Sequence, residues 1–138
     1  MEITFQSEGV EHPQIDEAKT AKWIESVAKL YNKEVGEISF LFCDDEKILE
    51  VNQQYLNHDF YTDIITFDYS EENMISGDII ISLQTVESNS QMYNTSFLEE
   101  LHRVIIHGIL HLSGLNDSTE EEEKVMRDAE NSALKILS

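Results

Sequence analysis

The segment that most limits how this chain can fold is Phe97–Leu112, opened by Ser96 and closed by Gly114. Ser96-Phe97-Leu98-Glu99 has the form of a capping box, in which a serine and a glutamate three residues on satisfy each other's backbone amides. From there the apolar residues recur at helical spacing. Ile105, Ile106, Ile109, Leu110 and Leu112 leave the second half of the helix apolar almost all round. Such a helix has no face to give to water, so it belongs in the middle of the protein. Yet it carries His107 and His111.

Four residues apart on a helix, two imidazoles share one face and can reach one ion. In apolar surroundings each imidazole is costly unless it is hydrogen-bonded or bound. The plainer reading is a pair of satisfied core histidines with Asp117 as a helix cap. The metal reading gains from Gly108, which lets a backbone or a substrate come close to the helix, and from Gly114, which permits a left-handed turn. That turn would bring Asp117, six residues past His111, to a third ligand position. Two imidazoles and a carboxylate leave one position of a tetrahedron open, as in catalytic zinc sites, where bound water has a pKa of roughly 7.

The rest of the 138 residues fit around this helix as one domain, residues 1–138. Residues 2–6 alternate like a strand. Residues 15–31 read as a helix with Trp23, Ile24, Val27, Leu30 and Tyr31 on one face. Gly36 opens a strand over 36–43, and Asp44-Asp45 leads into a helix over 45–56. The β-branched runs Ile64–Phe67 and Ile79–Ile81 read as neighbouring strands, and residues 83–93 as a further helix. Ser118-Thr119 begins a last helix whose first turn, Glu120–Glu123, suits the helix dipole and whose apolar stripe is Val125, Ala129, Leu134 and Leu137. The expected class is α+β: a small mixed sheet of about four strands, about five helices, and a metal site on a buried helix.

Composition removes several classes of function. Cys43 is the single cysteine, so no internal disulfide forms. The start Met1-Glu2-Ile3-Thr4-Phe5 lacks the basic and apolar regions of a signal peptide, and no apolar stretch is long enough for a membrane, so a cytoplasmic address is expected. Twenty-eight acidic against nine basic residues give a net charge of −19. Self-repulsion at that charge favours a monomer, and a polyanion is held off unless a local basic patch or a metal receives it. Lys19, Lys22, Lys29 and Lys33 fall within roughly a quarter-turn at ~100° per residue, a candidate RNA-backbone track or simply a solvated face. Arg103, one turn before His107, is placed to meet a phosphate near the metal or to pair with Glu99 or Glu100.

Asp63 and Asp78, at expected strand starts, are candidates for orienting a histidine or for bonding turn amides. His58 and Asp59 belong to a loop that can line the cleft, His102 has the wrong spacing to join the pair, and His12 beside Pro13 looks like surface. A metallopeptidase places glutamate directly after the first histidine; here that residue is Gly108, so the peptidase base is missing.

His107-Gly108-Ile109-Leu110-His111-Leu112-Ser113-Gly114, with a ligand six residues past the second histidine, resembles the signature of the YbeY family of bacterial zinc-dependent endoribonucleases. Asn52, Tyr55, Thr62-Asp63-Ile64-Ile65-Thr66-Phe67, Gly77-Asp78-Ile79, Met126 and Glu130 are similar to further family blocks in order and spacing. The resemblance implies one Zn2+ on His107, His111 and Asp117, with Arg103 or a lysine neutralising charge. It also implies single-strand-directed cleavage of RNA in maturation of the small-subunit ribosomal RNA 3′ end and ribosome quality control. The expected partners are ribosomal RNA and the small subunit, with no membrane. Two positions depart from the pattern: Asp117 stands where the family usually has a third histidine, and Leu56 where it usually has an arginine. Leucine cannot contact phosphate, which keeps a second reading open: a ribosome-associated binding protein with a chiefly structural zinc and little nuclease activity.

Overall fold

The computed structural model describes residues 2–55 and 62–137. In chain order these form β1 (Glu2–Ser7), α1 (Glu17–Leu30), β2 (Glu34–Cys43), α2 (Asp45–Tyr55), β3 (Ile64–Asp68), β4 (Met74–Ser82), α3 (Leu83–Met92), α4 (Phe97–Leu112) and α5 (Glu120–Leu137). The four strands make one sheet in the order β1-β2-β4-β3. β1, β2 and β4 run parallel, and β3 pairs antiparallel with β4, as the two β-branched runs predict. This is the mixed-sheet α+β fold expected from the sequence.

Polar side chains start each helix. Asp16, Asp44, Ser82 and Ser96 accept from the backbone N–H three residues on in α1, α2, α3 and α4. Thr119 and Glu122 exchange side-chain and backbone bonds at the start of α5, a capping box. Asp45 also ties two helix starts together, since Oδ1 accepts from the Ser82 and Thr85 hydroxyls, both at 2.6 Å.

The sheet buries unequal faces. On one side Ile38, Phe40, Phe42, Ile75, Ile79 and Ile81 pack with Trp23, Ile24 and Val27 of α1, Val86 of α3, the apolar residues of α4, and Met126 and Ala133 of α5. On the other, Cys43, Ile65 and Ile80 meet Ile48 and Val51 of α2. The central element is α4, which touches β3, β4, α1, α3 and α5, and whose Leu101, Ile105, Ile106 and Ile109 are wholly buried.

Several local expectations shift. Leu30 is 64% exposed and Val125 58% exposed, so neither lies on its helix's buried face. Of the expected α5 stripe, Ala129, Leu134 and Leu137 do pack against the core, but the residues buried deepest are Met126, Glu130 and Ala133. Gly36 lies inside β2 at its register shift, where a Cβ would collide with the Ser76 hydroxyl, and does not open the strand. Asp78 is within β4, exposed and bonded by the Tyr69 hydroxyl at 3.3 Å, and is not at a strand start.

Two glycines let the central layer close. A Cβ on Gly108 would stand 3.0 Å from Ile79 Cδ1 and 3.2 Å from Ile64 Cδ1, so what approaches α4 there is the sheet, not a substrate. On Gly77 it would stand 2.5 Å from the Phe67 carbonyl oxygen, with Leu112 behind. Backbone cannot yield as a side-chain end can. Gly77→Ala is therefore expected to cost about 1–3 kcal/mol, read as a lower urea midpoint with unchanged slope.

Candidate functional site: a histidine and carboxylate cavity

Glu100, Arg103, His107 and His111 follow one another at spacings of three, four and four residues. They therefore span roughly 80° of the α4 surface at ~100° per residue. This polar stripe lines a cavity of about 760 Å³, to which the other polar residues of the helix, Glu99 and His102, do not contribute. The other walls are Thr62, Asp63, Ile64 and Thr66 around the start of β3, the end of α3, and the first half of α5. The Asp63 carbonyl accepts from Ser82 N–H at 3.0 Å, which sets this wall at the carboxyl end of β4. Clefts outside carboxyl strand ends are where open sheets place ligands.

The turn after α4 forms as its glycine predicts. Gly114 takes φ 111°, and Leu115 N–H bonds back to the Leu110 carbonyl at 3.1 Å. This returns the chain so that Asp117 Oδ2 lies 3.3 Å from His107 Nε2. His107 Nδ1 is 2.7 Å from Glu130 Oε2. The other carboxylate oxygen of Glu130 accepts from Arg103 Nη1 at 2.9 Å, and Arg103 Nη2 donates to Asn131 Oδ1 at 2.8 Å. Neither Glu99 nor Glu100 is the partner of Arg103.

Electrostatics follow from these contacts. Burial works against the charged His107, but the hydrogen bond and charge of Glu130, with Asp117 and Asp63 nearby, raise its pKa above the ordinary value. Burial likewise works against ionised Glu130, and the bonds from His107 and Arg103 overcome it, holding the carboxyl below its usual range. Burial raises Asp63, although its carboxylate takes bonds from its own and Ile64's N–H and feels His107. Burial also raises Glu100, against the pull of Arg103. Cys43 is buried outside the cavity, and burial with Asp44 and Glu8 pushes its thiol up to about 12, so it is no nucleophile.

The predicted histidine pair shares the cavity, but both rings are half-buried at its wall, not sealed in the core. As donors, His107 and Asp117 fit a zinc ion. The Glu130 contact occupies Nδ1, which leaves Nε2 facing a carboxylate; carboxylate-oriented histidines of this kind are common metal ligands. Ligand atoms about 2.0–2.1 Å from a tetrahedral zinc lie about 3.3 Å from each other, the spacing of this pair. His111 lines the same cavity one turn on. Among the described residues, though, no three His, Cys, Asp or Glu side chains are gathered closely enough to hold an ion as they stand.

Other expected site residues lie elsewhere. Lys19, Lys22 and Lys29 are exposed on α1 and do not line the cavity. Lys33 is off the helix altogether, because Asn32 turns left-handed at φ 59° and Lys33 N–H closes the end on the Ala28 carbonyl. Leu56, His58 and Asp59 lie outside the described residues. Glu130, which sequence reasoning placed only in a block similar to the family's and gave no role at the site, is the acceptor that orients His107; neither Asp63 nor Asp78 is.

Fold and site together define an α+β protein with a histidine helix at its centre, its first imidazole held by a glutamate from the last helix. The chain belongs to the YbeY family: the family profile described as endoribonuclease YbeY matches residues 3–138. A protein called endoribonuclease YbeY from Bacteroides fragilis is 59% identical over 134 residues, 97% of this chain and 96% of its own. One of the same name from Bacteroides thetaiotaomicron is 54% identical over 97% of this chain and 98% of its own. A solution structure of a Thermotoga maritima protein superposes with a TM-score of 0.70 at 28% identity, covering 98% of this chain and 88% of that one.

The coupled pair has a defined pH window in metal-free protein. The lowered Glu130 contributes stability above 4.5, lost as pH falls through its folded value. The raised His107 contributes below 6.5, lost as pH rises through its folded value. In chelator, the stability gap between wild type and Glu130→Gln is therefore expected to be widest between those values. It should narrow on both sides, with a remainder at high pH from Arg103; thermal unfolding across pH measures it.

Proposed function

We propose that this protein is a metal-dependent endoribonuclease of the cytoplasm. It cuts single-stranded RNA in maturation of the small-subunit ribosomal RNA 3′ end and acts in ribosome quality control. Family membership supports the activity, since the relatives above carry the name endoribonuclease. The observation that carries the site is the His107 imidazole, fixed on Nδ1 by buried Glu130 and turned by Nε2 toward Asp117.

His107, His111 and Asp117 would hold one zinc ion. When bound, the ion supplies Lewis acidity toward water and phosphate oxygens. Glu130 keeps the His107 proton on Nδ1, so that Nε2 presents its lone pair to the cavity. Arg103 fixes the second oxygen of Glu130 and so orients the imidazole indirectly. Asp63 and Glu100, whose carboxyls burial raises above the ordinary range, are the acids of the cavity wall nearest in character to a proton donor or acceptor for a reacting oxygen.

One observation favours the second reading, a ribosome-bound protein with a chiefly structural zinc. Asp63, Glu100, Asp117, Glu123 and Glu130 line the cavity against two arginines, and one of those, Arg103, spends its guanidinium on Glu130 and Asn131. Under it, purified protein binds small subunits and shows no turnover on RNA.

Elemental mass spectrometry of untagged protein is expected to find about one zinc per chain, little in His111→Ala or Asp117→Ala, and roughly 10–100-fold weaker retention in Glu130→Gln. Cleavage of single-stranded RNA should disappear with the metal in His111→Ala and in chelator-treated wild type. Cleavage that persists in metal-free His111→Ala, with contaminating nucleases excluded, would overturn the mechanism.

A further inference from the structure

Residues from the end of α3 and from α5 also line the cavity and take no part in the histidine and carboxylate contacts. Tyr93 caps α3 and is 59% exposed at the cavity. Its position is fixed, because Asn94 turns left-handed at φ 59° and Thr95 N–H closes on the Ser90 carbonyl at 2.9 Å. Among the described residues its ring stacks on no other. Thr95, two residues on, also lines the cavity, and its hydroxyl is buried with no hydrogen-bond partner.

Arg127 completes the set. It is exposed on α5, lines the cavity, and makes no ion pair among the described residues, while its charge reaches Glu100. Arg103, by contrast, has both guanidinium arms bound. In a chain with 28 acidic and nine basic residues, an unpaired arginine facing an acidic cavity is the group to which a phosphate would go. Guanidinium matches phosphate with two parallel bonds, and an exposed aromatic ring at a fixed position takes a splayed base.

Resting on the nuclease reading, we propose that Tyr93 and Arg127 form a nucleotide subsite for single-stranded RNA in the cavity of the histidines. The Tyr93 ring stacks on a base, and Arg127 takes an adjoining phosphate. A base inside a duplex is already stacked and cannot reach the ring, so the subsite itself selects single strands.

The test is steady-state cleavage by zinc-loaded protein of a short fluorescent single-stranded oligoribonucleotide, at several salt concentrations, with its duplex form in parallel. Both side chains are exposed, so the variants are expected to melt like wild type. Tyr93→Ala and Arg127→Gln should each raise KM roughly tenfold with kcat largely kept, and Tyr93→Phe should restore wild-type KM. Arg127→Gln should also flatten the dependence of log kcat/KM on log salt by about 0.7, the loss of one phosphate contact. If wild type cleaves while Tyr93→Ala and Arg127→Gln keep its KM and salt slope, or if duplex is cut as readily, the subsite is overturned and the nuclease reading stands. If zinc-loaded wild type cleaves no RNA, both fall.

Discussion

The carboxylate of Glu130 joins the fold to its site. Its side chain is 8% exposed, and its two oxygens are divided between Arg103 and His107, both on α4. A buried carboxylate is tolerable only when its charge is met and its lone pairs are filled, and these two contacts do both. The result locks α5 against α4 in one rotation and one register. Removing any one of the three leaves the other two facing a cavity already rich in acid. The same bond that docks the last helix also chooses which nitrogen of His107 is free, so the docking of α5 and the chemistry of the imidazole are one interaction.

The surrounding core explains why such a contact holds its geometry. α4 is packed on several elements, with the sheet pressed onto it at Gly108, where Ile79 and Ile64 occupy the space a Cβ would need. Side chains on a helix fixed this closely do not drift. The polar stripe of α4 therefore faces the cavity with little freedom, while Asp117, half exposed on a turn, has more. The rigid half of the site and its adaptable half come from different kinds of structure, a core helix and a capped loop.

Charge is the constraint the protein works against. A net charge of −19 repels RNA at a distance, and the cavity adds five carboxylates to its lining. On the proposed nuclease reading, approach depends on short-range terms: an ion held by the proposed ligands, an arginine not consumed by the protein's own acids, and stacking, which is indifferent to charge. The lysines of α1 are on another face and do not relieve the problem. A cation is worth most where it is desolvated and close, not where a stripe of lysines is most visible in the sequence.

How much was legible in advance depended on distance along the chain. The helix over Phe97–Leu112, its serine cap, the glycine turn and the histidine pair are local patterns, and the sequence alone determined them, because caps, turns and four-residue spacing act within a few residues. The β-branched runs likewise announced a pair of neighbouring strands. What no local rule reaches is which faces meet. On α5, Val125 is apolar and exposed while Glu130 is charged and buried, because the docking of α5 on α4 decides burial there. Arg103 had acids at helical spacing on its own helix and paired instead with one 27 residues away on another. Only the tertiary structure brought Glu130 to His107, Asp117 back beside it, and Tyr93 and Arg127 to one cavity, since side chains so far apart in sequence meet only when packed elements carry them there.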